Sequence, residues 1–187
     1  MAMARNTYPI EIAGINRELP LFEVQPGLRI AVLNILGDTE LVRACAKDLA
    51  MKLSNNNYDV FVTAEAKSIP VAHALAVETQ KPYIVLRKVY RVYMGDTIHA
   101  ETISITTGKP QSLYLDEKDH SLLAGKNVVL LDDVISTGST LEGMRQIVQK
   151  VQGKIVAEAA ILTEGDQTRW AHIVSLGHLP LFPSDSD

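Results

Sequence analysis

Two adjacent aspartates, Asp132 and Asp133, close an apolar run, Val128-Val129-Leu130-Leu131, and two residues later comes Ser136-Thr137-Gly138-Ser139-Thr140. The apolar run reads as a strand buried on both faces. Like charges at its end are costly to desolvate and call for partners. A turn of small residues that opens a helix offers unpaired backbone N–H groups, the positive end of the helix dipole and hydroxyls, which together make a phosphate cradle. Carboxylates beside it could accept from sugar hydroxyls or hold a hydrated Mg²⁺. A ribose 5-phosphate satisfies both halves. A chain turn at Asp133 with a cap at Ser136 would account for either half alone; the two together, directly after a buried strand, favour the ligand. Neither GxxxxGK[ST] nor GxGxxG occurs, so the stretch is neither a Walker A loop nor a dinucleotide fingerprint.

Those residues need elements to hold them. Apolar positions 41, 42, 45, 49 and 53 predict a helix over 39–53, with Asp38 as N-cap and Asn55-Asn56-Asn57 as a stop. A strand follows at 59–64, a helix at 70–79 with Pro70 in its first turn, and a strand at 83–87. Periodicity lapses over 88–97. Alternating segments at 101–105 and 112–115, joined through Gly108 and Pro110, give a hairpin signal. Beyond the opening strand lie a helix over 139–151, a strand over 155–162 and an apolar piece at 173–176. Everything before about residue 38 reads as irregular. Strands alternating with helices predict an α/β fold: a doubly wound, mainly parallel sheet with an added antiparallel hairpin.

The stretch VVLLDDVISTGST closely resembles the phosphoribosyl-pyrophosphate (PRPP) signature of the type I phosphoribosyltransferases. That resemblance implies that Asp132 and Asp133 hold the ribose hydroxyls, partly through water-bound Mg²⁺, and that Ser136, Thr137, Gly138, Ser139 and Thr140 hold the 5-phosphate. It also implies a second cradle for the pyrophosphate. VTAEAKSIP, again a strand end running into a helix start, looks like the pyrophosphate loop of the adenine phosphoribosyltransferase branch, where Glu-Ala-Arg-Gly is usual. Here the residues are Glu65, Ala66, Lys67 and Ser68. Lysine keeps the charge without the bidentate fork, and Ser68 in place of glycine weakens the expectation of a strained backbone, which in some members includes a non-proline cis bond. Arg87, Lys88 and Arg91 occupy the position of the family's flexible catalytic loop, where with Lys67 they would close over a polyanion. In several members such cations reach the neighbouring subunit, which implies a homodimer.

The resemblance extends over roughly residues 25–162, through QPGLRIAVLNILGDTELVRACAKDL and KPYIVLRK. It implies one domain over 1–187, with a core over about 25–162 and a small hood built from about 1–25 and 163–182. Val134, Ile135 and the segment SLGHLPLF are the expected base contacts. Where the adenine branch commonly has Leu-Glu-Tyr-Gly, this chain has Ile105-Thr106-Thr107-Gly108, so a glutamate near the base is missing. The implied reaction is transfer of ribose 5-phosphate from PRPP to a purine base, with adenine favoured and xanthine, hypoxanthine or guanine as alternatives. A PRPP-sensing regulator without catalysis is the rival reading; a DNA-binding extension has no room before Pro26.

Bulk properties set the frame. The chain has 187 residues and a net charge of −4, which suits one domain with neither nucleic acid nor anionic lipid as partner. No apolar stretch approaches the ~18 residues of a membrane span. The start, MAMARNTYPIEIAG, lacks a signal peptide's apolar core, so a cytoplasmic protein is expected. The single cysteine, Cys45, falls at helical spacing with leucines and reads as a buried, inert thiol. His73, His99, His120, His172 and His178 show no metal-ligand spacing, and Trp170 reads as packing.

Overall fold

The buried strand that precedes Asp132 lies at the middle of a five-stranded parallel sheet, as its two-sided hydrophobicity requires. The computed structural model describes residues 6–103 and 110–183. In chain order the elements are β1 (Thr7–Ile12), β2 (Ile15–Gln25), β3 (Leu28–Ala31), α1 (Thr39–Leu53), β4 (Val60–Ala64), α2 (Ile69–Thr79) and β5 (Tyr83–Leu86). They continue with β6 (Ile98–Ile103), β7 (Pro110–Leu115), α3 (His120–Leu123), β8 (Asn127–Ile135), α4 (Ser139–Lys150), β9 (Lys154–Glu164), β10 (Val174–Leu179) and β11 (Phe182–Pro183). The central sheet has the order β10-β9-β8-β4-β5, every neighbouring pair parallel.

Successive side chains of a strand point to opposite faces, and the core divides accordingly. Val129 and Leu131 pack with Leu41, Cys45 and Leu49 of α1 and Leu75 of α2. Val128 and Leu130 pack with Leu141, Met144, Ile147 and Val148 of α4. Each such side chain contributes about 1.5–3 kcal/mol by leaving water. Helices on both faces of a parallel sheet are the doubly wound arrangement expected from the alternation. Asp38 caps α1, accepting from the Leu41 N–H at 3.1 Å, and Arg17 clamps it from β2 with two hydrogen bonds of 2.8 and 2.9 Å. Beside α4 lies the antiparallel hairpin β6–β7, tied to the end of β5 by reciprocal backbone bonds between Arg87 and Tyr114 at 2.9 and 2.8 Å. Its turn, and the 105–108 register at which a glutamate is missing, lie outside the described residues.

The N-terminal segment differs from expectation. It is not irregular: β1, β2 and β3 form an antiparallel meander, and β11 pairs with β3 through Phe182 and Arg29. Pro9 and Pro20 interrupt the alternating pattern that marks strands, and prolines in a run argue against one. The β1–β2 turn is made by Ala13 and Gly14, both at positive φ (51° and 75°), a conformation that alanine does not advertise. Tyr8 meets the Phe182 ring edge-on at 5.0 Å, so the two ends of the described chain share one small sheet. No helix among the described residues is long and apolar enough to cross a membrane.

Candidate functional site

Parallel strands deliver their carboxyl ends to one edge of the sheet, where doubly wound folds bind ligands. Asp132 and Asp133 lie near the carboxyl end of the central strand β8, which runs on to Ile135 and not only to Leu131 as expected; Glu65 to Ser68 follow β4, Arg87 follows β5, and Glu164 ends β9. Residues far apart in sequence are thereby brought to one edge.

Asp133 is buried and its Oδ2 lies 2.7 Å from the Lys67 Nζ, an ion pair across the two strand ends. The contact is close but poorly aligned as a hydrogen bond, and Oδ2 has no other partner among the described residues. Lys67 also donates to the Leu33 carbonyl at 3.3 Å. Asp132 opens one edge to a small recess yet is otherwise packed in protein. Burial first, and then the negative charge of Asp133, hold its carboxyl well above the usual carboxylate range, with Lys88 opposing. The pair is thus primed for an incoming cation or for sugar hydroxyls.

The recess is lined by Asp132, Val134, Ile135 and the whole loop Ser136 to Thr140. Gly138 stands at φ +83°, and a Cβ there would lie 2.7 Å from the tip of the Trp170 ring, so glycine is required both by backbone and by space. The Thr137 and Ser139 hydroxyls lie 3.2 Å apart. Arg169 donates to the Thr137 carbonyl at 2.9 Å and lies 4.5 Å over the Trp170 ring, so the loop is braced from behind. The N–H groups that open α4 sit at the positive end of its dipole.

In the second loop the Glu65–Ala66 peptide is cis. Ser68 is turned inward: Thr63 Oγ1 donates to its Oγ at 2.7 Å, and that hydroxyl donates to the Ala64 carbonyl at 2.7 Å. What it offers an anion is backbone at the start of α2. Glu65 accepts from Arg87 Nε and from the Lys88 backbone N–H, both at 2.6 Å, so the Arg87 guanidinium and the backbone that follows it are fastened to the second cradle. The carboxylate of Glu65 holds the Arg87 guanidinium above its usual range. Arg91 stands apart, on an exposed segment with Val92 and Tyr93 largely in solvent, and its N–H donates to Met94 Sδ at 3.3 Å.

Val134 and Ile135 thus face the small recess and not the larger cavity beside it. That cavity, of about 620 Å³, lies between the N-terminal sheet and the strand ends and is walled by Val24, Leu28, Ile30, Leu181 and Trp170. Ser136 and Thr137 belong to both. Of SLGHLPLF, Leu181 reaches the larger cavity, whereas Ser175 to His178 line a separate one of about 320 Å³. Sequence reading missed Val24, Leu28, Ile30 and Glu164, because none carries a local signal and a meander folds the first three over a strand end more than a hundred residues away. Trp170 is buried, as a packing residue would be, with its Nε1 donating to the Glu164 carbonyl at 3.1 Å.

The fold is shared with known proteins. The solved adenine phosphoribosyltransferase of Thermoanaerobacter pseudethanolicus superposes with a TM-score of 0.67 at 20% identity, over 92% of this chain and 95% of that one. That of Giardia lamblia, complexed with 9-deazaadenine, gives 0.66 at 16% over 92% and 93%. In sequence, the purine biosynthesis transcriptional activator PurR of Lactococcus lactis is 28% identical over 83% of this chain and 55% of its own length. The hypoxanthine/guanine phosphoribosyltransferase of Methanococcus voltae is 33% identical over 68% and 64%. The chain therefore spans about half the length of the PurR proteins it matches. Residues 32–172 match the model of the phosphoribosyl transferase domain, a stretch that begins just after β3 and runs through Asp132 and Asp133 to His172, and the chain belongs to that family.

Proposed function

We propose that the protein transfers ribose 5-phosphate from PRPP to a purine base, adenine foremost, releasing pyrophosphate and a nucleoside 5′-monophosphate. The observation that carries this reading is the 2.7 Å contact between Lys67 and Asp133. It joins the loop after β4 to the acids near the carboxyl end of β8, so two anion cradles open on one point, as a molecule with phosphate at both ends of a ribose requires.

In this account Asp132 and Asp133 accept from the ribose 2′- and 3′-hydroxyls, while the loop Ser136 to Thr140 holds the 5-phosphate by N–H groups and hydroxyls. Lys67, the backbone of Glu65 to Ser68, and Arg87, Lys88 and Arg91 take up the pyrophosphate's charge as its bond to C1′ breaks. Lys67 then exchanges Asp133 for the diphosphate. Asp132 and Asp133, adjacent hard oxygen donors beside the phosphate loop, would hold Mg²⁺ through water, which would supply charge neutralisation to the diphosphate. The base stacks in the apolar cavity of about 620 Å³, with Val134 and Ile135 behind the ribose. Positioning and electrostatics supply the rate enhancement; no covalent intermediate is needed. The active form is a cytoplasmic homodimer in which Arg91, unpaired with any acid in its own chain among the described residues, serves a neighbouring site.

A second reading, a PRPP-responsive regulator acting through a protein partner, is favoured by the similarity to PurR proteins. Calorimetry with PRPP and Mg²⁺ tests what both readings share. Tight binding that Asp132→Asn with Asp133→Asn abolishes, in a chain that still melts cooperatively, supports the assignment of the acids; unchanged affinity removes it.

A further inference from the structure

Glu164 is the group that the site, as described so far, leaves without work. It ends β9, is 7% exposed, and its carboxylate accepts no hydrogen bond from any described residue, the bond at 3.1 Å from Trp170 going to its backbone carbonyl. It lines a cavity whose walls are largely apolar, Val24, Leu28, Ile30, Leu181 and the Trp170 ring, with Arg169, which is engaged with the Thr137 carbonyl at 2.9 Å, among its polar groups. Its oxygens open onto that cavity, and an acceptor so shielded from bulk water is best satisfied by a donor on a molecule seated there. Burial raises its pKa, with the charge of Lys67 opposing. Asp166, on the same wall, is already occupied, accepting from the Thr168 N–H and hydroxyl at 2.9 and 2.7 Å. Gln25 is the remaining neutral polar side chain there besides the loop hydroxyls.

We infer that Glu164 is the specificity-determining residue of this cavity, reading a planar heteroaromatic base by accepting hydrogen bonds from an N–H edge. The inference rests on the proposed transfer reaction, in that the ribose 5-phosphate end anchors the base under the N-terminal sheet. Flat apolar walls bind any purine; an acceptor-only group at one end separates bases with an amino or ring N–H on that edge from those without. A site built to hydrogen-bond a donor rejects the analogue lacking it, because the buried acceptor is then left unpaired. Glu164 supplies a carboxylate to the cavity by a route independent of the 105–108 register.

Nucleotides that differ only in the base test this, because the ribose phosphate is constant. Affinities of ribose 5-phosphate, AMP, GMP and purine riboside 5′-monophosphate, whose base bears no N–H, are measured by calorimetry on the wild-type chain and on Glu164→Gln. The expectation is that AMP or GMP binds at least about tenfold more tightly than purine riboside 5′-monophosphate, as a hydrogen bond to a charged acceptor warrants. In Glu164→Gln that preference shrinks to about threefold or less while ribose 5-phosphate affinity is retained. Equal wild-type affinities for the three nucleotides, with ribose 5-phosphate bound, overturn the role of Glu164 and leave the transfer reading standing. A preference that survives in Glu164→Gln undiminished overturns it too. Failure of ribose 5-phosphate and every nucleotide to bind sinks the transfer reading itself, and this inference with it.

Discussion

Gly138→Ala probes the phosphate loop at the point where structure and chemistry are most tightly linked. An alanine at φ +83° carries the cost of the left-handed region, about 1–2 kcal/mol. Its Cβ would also stand 2.7 Å from the tip of the Trp170 ring, where ordinary contact begins at 3.4 Å. Loop and indole must therefore separate by about 0.7 Å, and overpacking of this kind costs about 1–3 kcal/mol. A displacement approaching 1 Å in a positioning loop lowers function by up to about a hundredfold. Gly138→Ala is thus expected to destabilise by about 2–5 kcal/mol and to weaken ribose 5-phosphate binding. Trp170→Phe removes the indole tip, so the double variant should recover the overpacking part and retain the backbone part. Urea denaturation followed by circular dichroism on wild type, both single variants and the double gives the coupling energy, expected at about 1–3 kcal/mol in favour of the double. Coupling within about 0.5 kcal/mol of zero, or a Gly138→Ala chain with wild-type stability and affinity, would refute the argument.

Three further outcomes are expected. Glu164 has a folded pKa above its unfolded value, so the native state binds more protons over that window and stability falls as pH rises from about 4.5 towards the folded pKa. Glu164→Gln removes that fall, so its stability relative to the parent should be higher at pH 7 than near pH 4, as urea midpoints at both pH values will show. The Cys45 thiol, fully buried and pushed up to about 12, should react with iodoacetamide at pH 8 only as fast as the chain opens, so labelling should accelerate with urea in step with unfolding. Arg91→Ala should lower kcat by about tenfold or more while leaving the affinity for nucleotide product within about twofold, since a loop that closes on the transition state contributes little to the resting complex; equal losses in both would count against closure.

How much of this was legible depends on whether the signal is local. VVLLDDVIS carries its own strand, its own charge anomaly and its own loop, so sequence alone placed Asp132 and Asp133 beside the loop, although the strand runs through both acids to Ile135. The helices at α1 and α4 announced themselves by apolar spacing, and Asp38 by its position as a cap. The N-terminal meander did not, because Pro9 and Pro20 break the pattern and because one of its pairings is with Phe182, about 150 residues along the chain. Glu164 gave no signal either: in sequence it is one carboxylate before a turn, and only the fold shows it buried, facing an apolar cavity and near Lys67. Likewise Ser68 read only as a loop residue in place of a glycine, whereas its hydroxyl is held in the interior by Thr63 and Ala64. Arg87 looked like a free cation, and the structure fastens it to Glu65 at 2.6 Å.

The central claim is that two cradles joined through Lys67 and Asp133 serve a single transfer from PRPP to a purine. Pyrophosphate release from PRPP and Mg²⁺, followed in parallel with adenine, hypoxanthine, guanine, xanthine, uracil and orotate, tests it most directly. The account predicts Mg²⁺-dependent release with a purine, adenine first, and none with uracil or orotate. Silence with every base at saturating PRPP would contradict it.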